Sequence, residues 1–134
     1  MHLLLMKLKP EEKFAFLHLA QFIAKLDGEY SMNEREIIEE YCLEMGIENM
    51  DLNHENFPLD ANLETFSTKQ SKRIVLLALM VLVHIDDKFG LTEHKIIDKI
   101  ANVFDISETE LHLFSMWGKA NSALYEQALV FTDL

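Results

Sequence analysis

The sequence has few of the residues that build turn-rich folds. Its 134 residues include only 4 glycines and 2 prolines, whereas β-sandwiches and small barrels need turn residues at short, regular intervals. No segment alternates apolar and polar residues for long enough to predict a strand. We therefore expect an all-α protein.

Cysteine and long apolar runs are also scarce. The single cysteine, Cys42, cannot form a disulfide within the chain, which is typical of a reducing compartment. The apolar stretch in residues 1–7 is too short for a secretory signal, and the strongest apolar run, residues 74–83, is too short to cross a bilayer. The sequence predicts a cytoplasmic protein without direct membrane insertion.

Basic residues are outnumbered by acidic ones. The chain has 12 lysines and arginines against 23 aspartates and glutamates, which gives a formal net charge of −11. Such a protein repels phosphate backbones, so nucleic-acid binding is excluded as its main activity. The favoured electrostatic partners are cations and basic protein surfaces, although solubility alone also explains an acidic surface.

Apolar residues recur at helical spacing between helix caps. Pro10 suits a first helical turn, where its missing N–H costs nothing. The segments 31–34 and 107–110 both read as capping boxes. Ser67 or Thr68 is placed to cap a strongly apolar helix. This pattern predicts a bundle of six to seven helices.

The chain contains an internal repeat. When the sequence is shifted by 59 residues, segment 27–34 aligns with segment 86–93 without a gap, and two Ile-Ile pairs coincide. This agreement predicts a duplicated helix–acidic loop–helix core. The predicted bounds are residues 12–48 and 71–107 for the two halves and 1–134 for the single domain.

Each half places an aspartate where one helix ends and a glutamate at the start of the next. These residues are Asp27 and Glu34 in the first half, and Asp86 and Glu93 in the second. A glutamate in a first helical turn is favourable, whereas an aspartate faces the negative end of a helix dipole. Either loop amides or a bound cation would compensate the aspartates, and both alternatives stay open.

Carboxylates and loop carbonyls are ligands for hard cations, so calcium or magnesium is favoured. His84 and His94 flank the second loop and would admit zinc or manganese instead. The spacing differs from an EF-hand, whose loop is longer and has a central glycine. The second loop is the poorer one, because Lys88 stands where the first loop has a glutamate.

The motif Asp-Gly-Glu-Tyr-Ser-Met-Asn-Glu-Arg, residues 27–35, resembles the acidic signature of the TerB-like tellurite-resistance family. It is also similar to the TerB-like domain at the front of some DnaJ-type co-chaperones. The second half resembles a second copy of the signature, with Asp87 in place of its glycine. The resemblance covers about residues 12–115. It implies an all-helical duplicated core, a role in stress response and divalent-cation binding by Asp27, Glu34, Asp86 and Glu93.

These features lead us to expect a non-enzymatic module that binds a divalent cation and a protein partner. The alternative is a metal-free interaction domain in which the acidic residues are purely structural. An enzyme would need two carboxylates converging in a cleft, one with a raised pKa. Two roles stay open for the apolar residues 1–8: folding back onto the bundle, or self-association as a homo-oligomer.

Overall fold

The computed structural model describes residues 1–53, 55–87 and 89–133, and over these residues the chain is helical without strands. Six α-helices and two short 3-10 turns, Leu4–Lys7 and Ile85–Asp87, form one compact unit within this described part. The six-to-seven-helix bundle is therefore confirmed. The helices are α1 (Pro10–Ala24), α2 (Met32–Met45), α3 (Leu59–Glu64), α4 (Lys69–His84), α5 (Leu91–Val103) and α6 (Glu108–Thr132).

Helix α4 lies at the centre of the bundle. It packs against α1, α2, α5 and α6, and its contact with α6 is the most extensive in the molecule. Ten of its side chains are buried, which explains why its sequence is apolar on more than one face. In the described part of the chain, no helix combines the length and the apolar character that a membrane span requires.

The two halves match in their helix bounds. Helix α4 begins 59 residues after α1, and α5 begins 59 residues after α2. The ends of α2 and α5 match as well, because Gly46 (φ 71°) and Asp105 (φ 56°) occupy equivalent positions in the left-handed region. The amide that follows each of them bonds to an equivalent carbonyl, Ile47 to Cys42 and Ile106 to Ala101.

The acidic loops share one left-handed backbone position, which different residues occupy. Gly28 has φ 80°, and its equivalent Asp87 has φ 54°. Aspartate is one of the few residues with a Cβ that adopts this region at modest cost. Asp87 can therefore occupy the position of the signature's glycine. The loops differ one residue earlier, where Asp86 is left-handed (φ 64°) and Asp27 is not.

The N-terminal segment folds back onto the bundle, which is one of the two predicted alternatives. Leu5 and Leu8 are buried in the core. The terminal ammonium of Met1 lies 3.0 Å from the Glu44 carboxylate, and the Leu5 amide donates to the same side chain at 2.8 Å. Glu44 therefore fixes this segment against α2.

Ser107 caps α6 as predicted, but the capping box there is incomplete. The Glu110 amide donates to the Ser107 hydroxyl at 3.2 Å. The Glu110 carboxylate forms an ion pair with Arg73 of α4 instead of returning to the Ser107 amide. The prediction of a complete box was wrong, because a tertiary partner competes with the local one.

Candidate cation site between the acidic loops

The first loop holds Asp27 and Glu34 by local hydrogen bonds. Asp27 is exposed, and its Oδ1 accepts from the amide of Glu29 at 3.0 Å. Glu34 lies in the first turn of α2 and is only 8% exposed. Its Oε1 accepts from the Ser31 amide at 3.0 Å, and the Ser31 hydroxyl accepts from the Glu34 amide at 3.1 Å. This is the predicted capping box.

The second loop reaches across to the first through Asp86. Its carboxylate accepts from the Ser31 hydroxyl at 2.6 Å and from the Asn33 side-chain amide at 2.5 Å. The Asp86 amide donates to the Glu126 carboxylate at 3.1 Å. Asp86 has φ 64°, and these three bonds hold it in that conformation. The two predicted loops therefore meet at the start of α2.

Glu93 is the second buried carboxylate of the site, with 6% of its surface exposed. It lies in the first turn of α5, and its Oε1 accepts from the Gly90 amide at 3.3 Å. Gly90 has no hydroxyl to complete a capping box, so Glu93 has less local compensation than Glu34. Burial, together with the charges of Asp27 and Glu34, raises the pKa of Glu93 to about 7.

The predicted carboxylates lie within electrostatic range of one another. Burial raises the pKa of Glu34, and the charges of Asp27 and Asp86 act in the same direction. Since Asp27 and Glu34 in turn raise the pKa of Glu93, the two loops form one negative cluster. We call Asp27, Glu34, Asp86 and Glu93 the carboxylate cluster.

Cationic side chains do not neutralise this cluster within the described part of the chain. The ion pairs found there involve Glu44, Asp51, Glu110 and Asp60, none of which belongs to the cluster. Lys88, which the sequence places in the second loop, lies outside the described residues. Over residues 1–53, 55–87 and 89–133, no three histidine, cysteine, aspartate or glutamate side chains are grouped closely enough to ligate one ion.

The two histidines proposed as ligands pack against the ring of Phe89. The imidazole of His94 stacks on this ring with centroids 3.6 Å apart, and that of His84 meets it edge-on at 5.1 Å. His84 also shares a 2.8 Å hydrogen bond with the Ser115 hydroxyl. Burial, helped by the positive charge of Lys119, lowers the pKa of His84, which favours a neutral ring.

The sequence identified the four carboxylates but not the hydrogen bonds that join the two acidic loops. The bonds from Ser31 and Asn33 to Asp86 span more than fifty residues, so no local pattern could reveal them. Glu126, which fixes the Asp86 amide, comes from the middle of α6 and was also missed. The only sequence signal for such bonds is the repeat itself, which places both loops at equivalent ends of paired helices.

Comparisons with protein-family models, with curated proteins and with solved structures gave no match to this chain.

Proposed function

We propose that this protein is a non-enzymatic module that binds a divalent cation at the carboxylate cluster and engages a protein partner, as the TerB-like resemblance implies. One observation carries the cation part: Glu34 and Glu93 are both buried beside other carboxylates of the cluster. Burial raises the pKa of both, and the negative charges of Asp27 and Asp86 on Glu34, and of Asp27 and Glu34 on Glu93, raise it further. A buried group of like charges is stabilised by a counter-ion.

The arrangement favours a hard cation that keeps part of its water shell. Magnesium is commonly held through one or two carboxylates and several waters, which needs no group of three protein ligands. Ser31 adds a neutral hydroxyl oxygen beside Asp86. Calcium would require the loops to draw closer, because it takes six to eight oxygen ligands.

The partner-binding part is supported by the outer face of α6. Gly118 and Ser122 of this helix are buried, whereas large apolar side chains on its other side are exposed. The most exposed are Leu124 (64%), Val130 (61%) and Phe131 (71%), and Leu113 and Met116 are each 57% exposed. An apolar stripe of this extent on a helix surface is typical of a protein interaction site.

The absence of an accessible cleft at the cluster favours binding over catalysis. Glu93 has the raised pKa that a general acid or base needs, but none of the four carboxylates lines any of the four main cavities of the described structure. Glu93 therefore lies outside the cavities that would enclose a substrate. The lone buried thiol of Cys42 fits the proposed cytoplasmic setting.

Calorimetric titration with magnesium, calcium, manganese and zinc tests the cation part. We expect saturable heat and a raised melting temperature with magnesium or calcium, and loss of both in Glu93→Gln. Glu64→Gln removes an exposed carboxylate at the end of α3 and serves as the matched control. If no ion gives heat or a shift in melting temperature, the cation part is wrong.

The second candidate is a metal-free interaction domain, which the hydrogen bonds of Asp27 and Asp86 favour. Both aspartates already have donors, the Glu29 amide for one and Ser31 with Asn33 for the other. This candidate predicts that Asp27→Asn and Asp86→Asn lower stability by the same amount with and without cations. Under the leading proposal, these variants lose stability mainly in the presence of the cation.

A further inference from the structure

A cleft of about 440 Å³ opens between α5 and α6, and none of the four carboxylates of the cluster lines it. Its floor is Met80 of α4, and its apolar walls include Ile97, Ala101 and Leu111. Asp98 and Glu108 lie on its two sides. The volume is within the range of sites that bind small molecules or short peptide segments.

The equivalent groove in the first half of the repeat is filled by the chain itself. Gln21, which is equivalent to Met80, donates to the carbonyl of Met50 at 2.7 Å and accepts from the amide of Leu52 at 3.0 Å. Asn49 donates to Glu39, the equivalent of Asp98, at 2.8 Å. Residues 49–53 have no helical or strand assignment and run over this groove, with Leu52 packed against the core.

The second half cannot hold its own chain in this way. Met80 lacks the amide group with which Gln21 binds the backbone of residues 50–52. The residues equivalent to 49–53 are Glu108 to His112, and they form the first turns of α6 instead of an extended segment. The groove between α4 and α5 is therefore left open, with α6 as its second wall.

The charges around the cleft indicate what would fill it. Asp98 and Glu108 are both acidic, and no lysine or arginine lines the cleft among the described residues. Asn102 and His112 at the edge offer polar groups to a peptide backbone, as Gln21 does in the first half. We propose that this cleft binds a short extended peptide that carries an apolar side chain next to a lysine or arginine.

The experiment uses two capped peptides and the full chain without added metal. The first has the sequence of the chain's own residues 49–53, Asn-Met-Asp-Leu-Asn, and the second replaces its aspartate by lysine. We follow the imidazole proton signals of all histidines by NMR. We expect the lysine peptide to shift the signals of His94 and His112, while those of His2 and His18, which lie outside the cleft, stay constant.

The acidic walls provide the matched variants. We expect the lysine peptide to bind roughly fivefold more tightly than the aspartate peptide. Asp98→Asn with Glu108→Gln should remove this preference, whereas Glu48→Gln with Glu64→Gln, the same charge change at exposed positions elsewhere, should retain it.

Three results would overturn the proposal. The first is the absence of any shift at His94 and His112 with millimolar peptide, and the second is equal affinity for both peptides. The third is a shift of these signals with protein concentration alone, which would mean that a second copy fills the cleft. Because metal is absent, the outcome is independent of whether the carboxylate cluster binds a cation.

Discussion

Buried glutamates at two helix starts have opposite electrostatic environments. Glu12 of α1 is 1% exposed, and its carboxylate accepts from the amides of Lys9 (2.9 Å) and Ser67 (3.1 Å). Burial alone would raise the pKa of Glu12, but these hydrogen bonds hold it below its usual range. Burial and then the negative charges of Asp27 and Glu34 raise the pKa of Glu93 to about 7, because its one amide donor compensates them only in part.

These opposite shifts predict opposite effects of pH on stability. The folded state binds a proton at Glu93 more readily than the unfolded chain does, so its contribution to the free energy of unfolding falls as pH rises from about 4.5 to about 7. Without divalent cations, the free energy of unfolding of Glu93→Gln relative to that of the native chain should therefore rise by about 1 to 3 kcal/mol from pH 5 to pH 8. Urea unfolding at both pH values measures this difference.

Glu12→Gln serves as the opposite case. The pKa of Glu12 is lower in the folded protein than in the unfolded chain, so ionised Glu12 stabilises the fold at pH values above the unfolded-state pKa. This stabilisation is lost as the pH falls through the pKa of Glu12 in the folded protein. The variant should therefore lose stability at pH 7 and approach the native chain in acid. If both variants showed the same slope with pH, the assigned environments would be wrong.

Substitutions of Ser31 and Ser107 form a matched pair that tests the hydrogen bond from Ser31 to Asp86, which joins the two acidic loops. Both hydroxyls cap a helix, but only that of Ser31 also donates to Asp86. We expect Ser107→Ala to cost about 1 kcal/mol and Ser31→Ala to cost about 1 to 2 kcal/mol more, because Asp86 loses a donor. Equal losses in thermal unfolding would contradict the bond between the loops.

Residue-scale prediction from sequence succeeded where the interaction is local. The Ser31–Glu34 capping box depends on four adjacent residues, and it is present. The same pattern at Ser107 is half formed, because Arg73 binds Glu110. This correction comes from a residue that is distant in sequence.

At the scale of helices, the contact of α4 with α6 depends on Gly118. A Cβ at this position would lie 2.6 Å from the backbone carbon of Met80, so the glycine permits close packing. Ser122, one turn later, donates to the Val81 carbonyl at 2.7 Å. Together they place α6 directly against the central helix.

Gly118→Ala should therefore separate the two helices. Because the obstructing atoms belong to the α4 backbone, we expect a loss of about 2 to 4 kcal/mol in the free energy of unfolding, despite alanine's better helix propensity. Ala123→Ser on the exposed side of α6 should change stability by about 0.5 kcal/mol or less. A stable, unchanged Gly118→Ala protein in denaturant unfolding would contradict this packing.

The longer helices were predictable from caps and apolar spacing, whereas residues 47–67 were not. Among the described residues of this segment, which leave out residue 54, one short helix forms, α3, and it begins after Pro58. In this segment, residues 50–52 are held by the side chains of Gln21 in α1 and of Lys25, which directly follows α1. Its conformation is a tertiary property, which local propensity does not determine.

At the scale of the whole molecule, two similar halves differ in what they leave exposed. The repeat was predictable, because the Asp, Glu and Ile-Ile positions of both halves agree in one register. The cleft beside α5 was not predicted, although one sequence difference between the two halves indicated it. Gln21 and Met80 occupy equivalent positions, and only the structure shows that Gln21 binds the segment that fills its groove.

The net charge of −11 and the carboxylate cluster together predict a response to salt. Raising sodium chloride from roughly 0.02 M to roughly 0.5 M should raise the melting temperature, because the repulsion between carboxylates is screened. Glu93→Gln should respond less than the native chain, while Glu64→Gln should respond as the native chain does. A melting temperature that is constant or falls with salt would contradict the role of the cluster.

The carboxyl-carbon NMR signal of Glu93, followed as a function of pH with and without magnesium, tests the central claim most directly. The account predicts a titration midpoint at about pH 7 without the ion and a clearly lower midpoint with it, because a bound cation favours the ionised form. A midpoint near the ordinary glutamate value of 4.5, unchanged by magnesium, would contradict both the convergence of the loops and their proposed function.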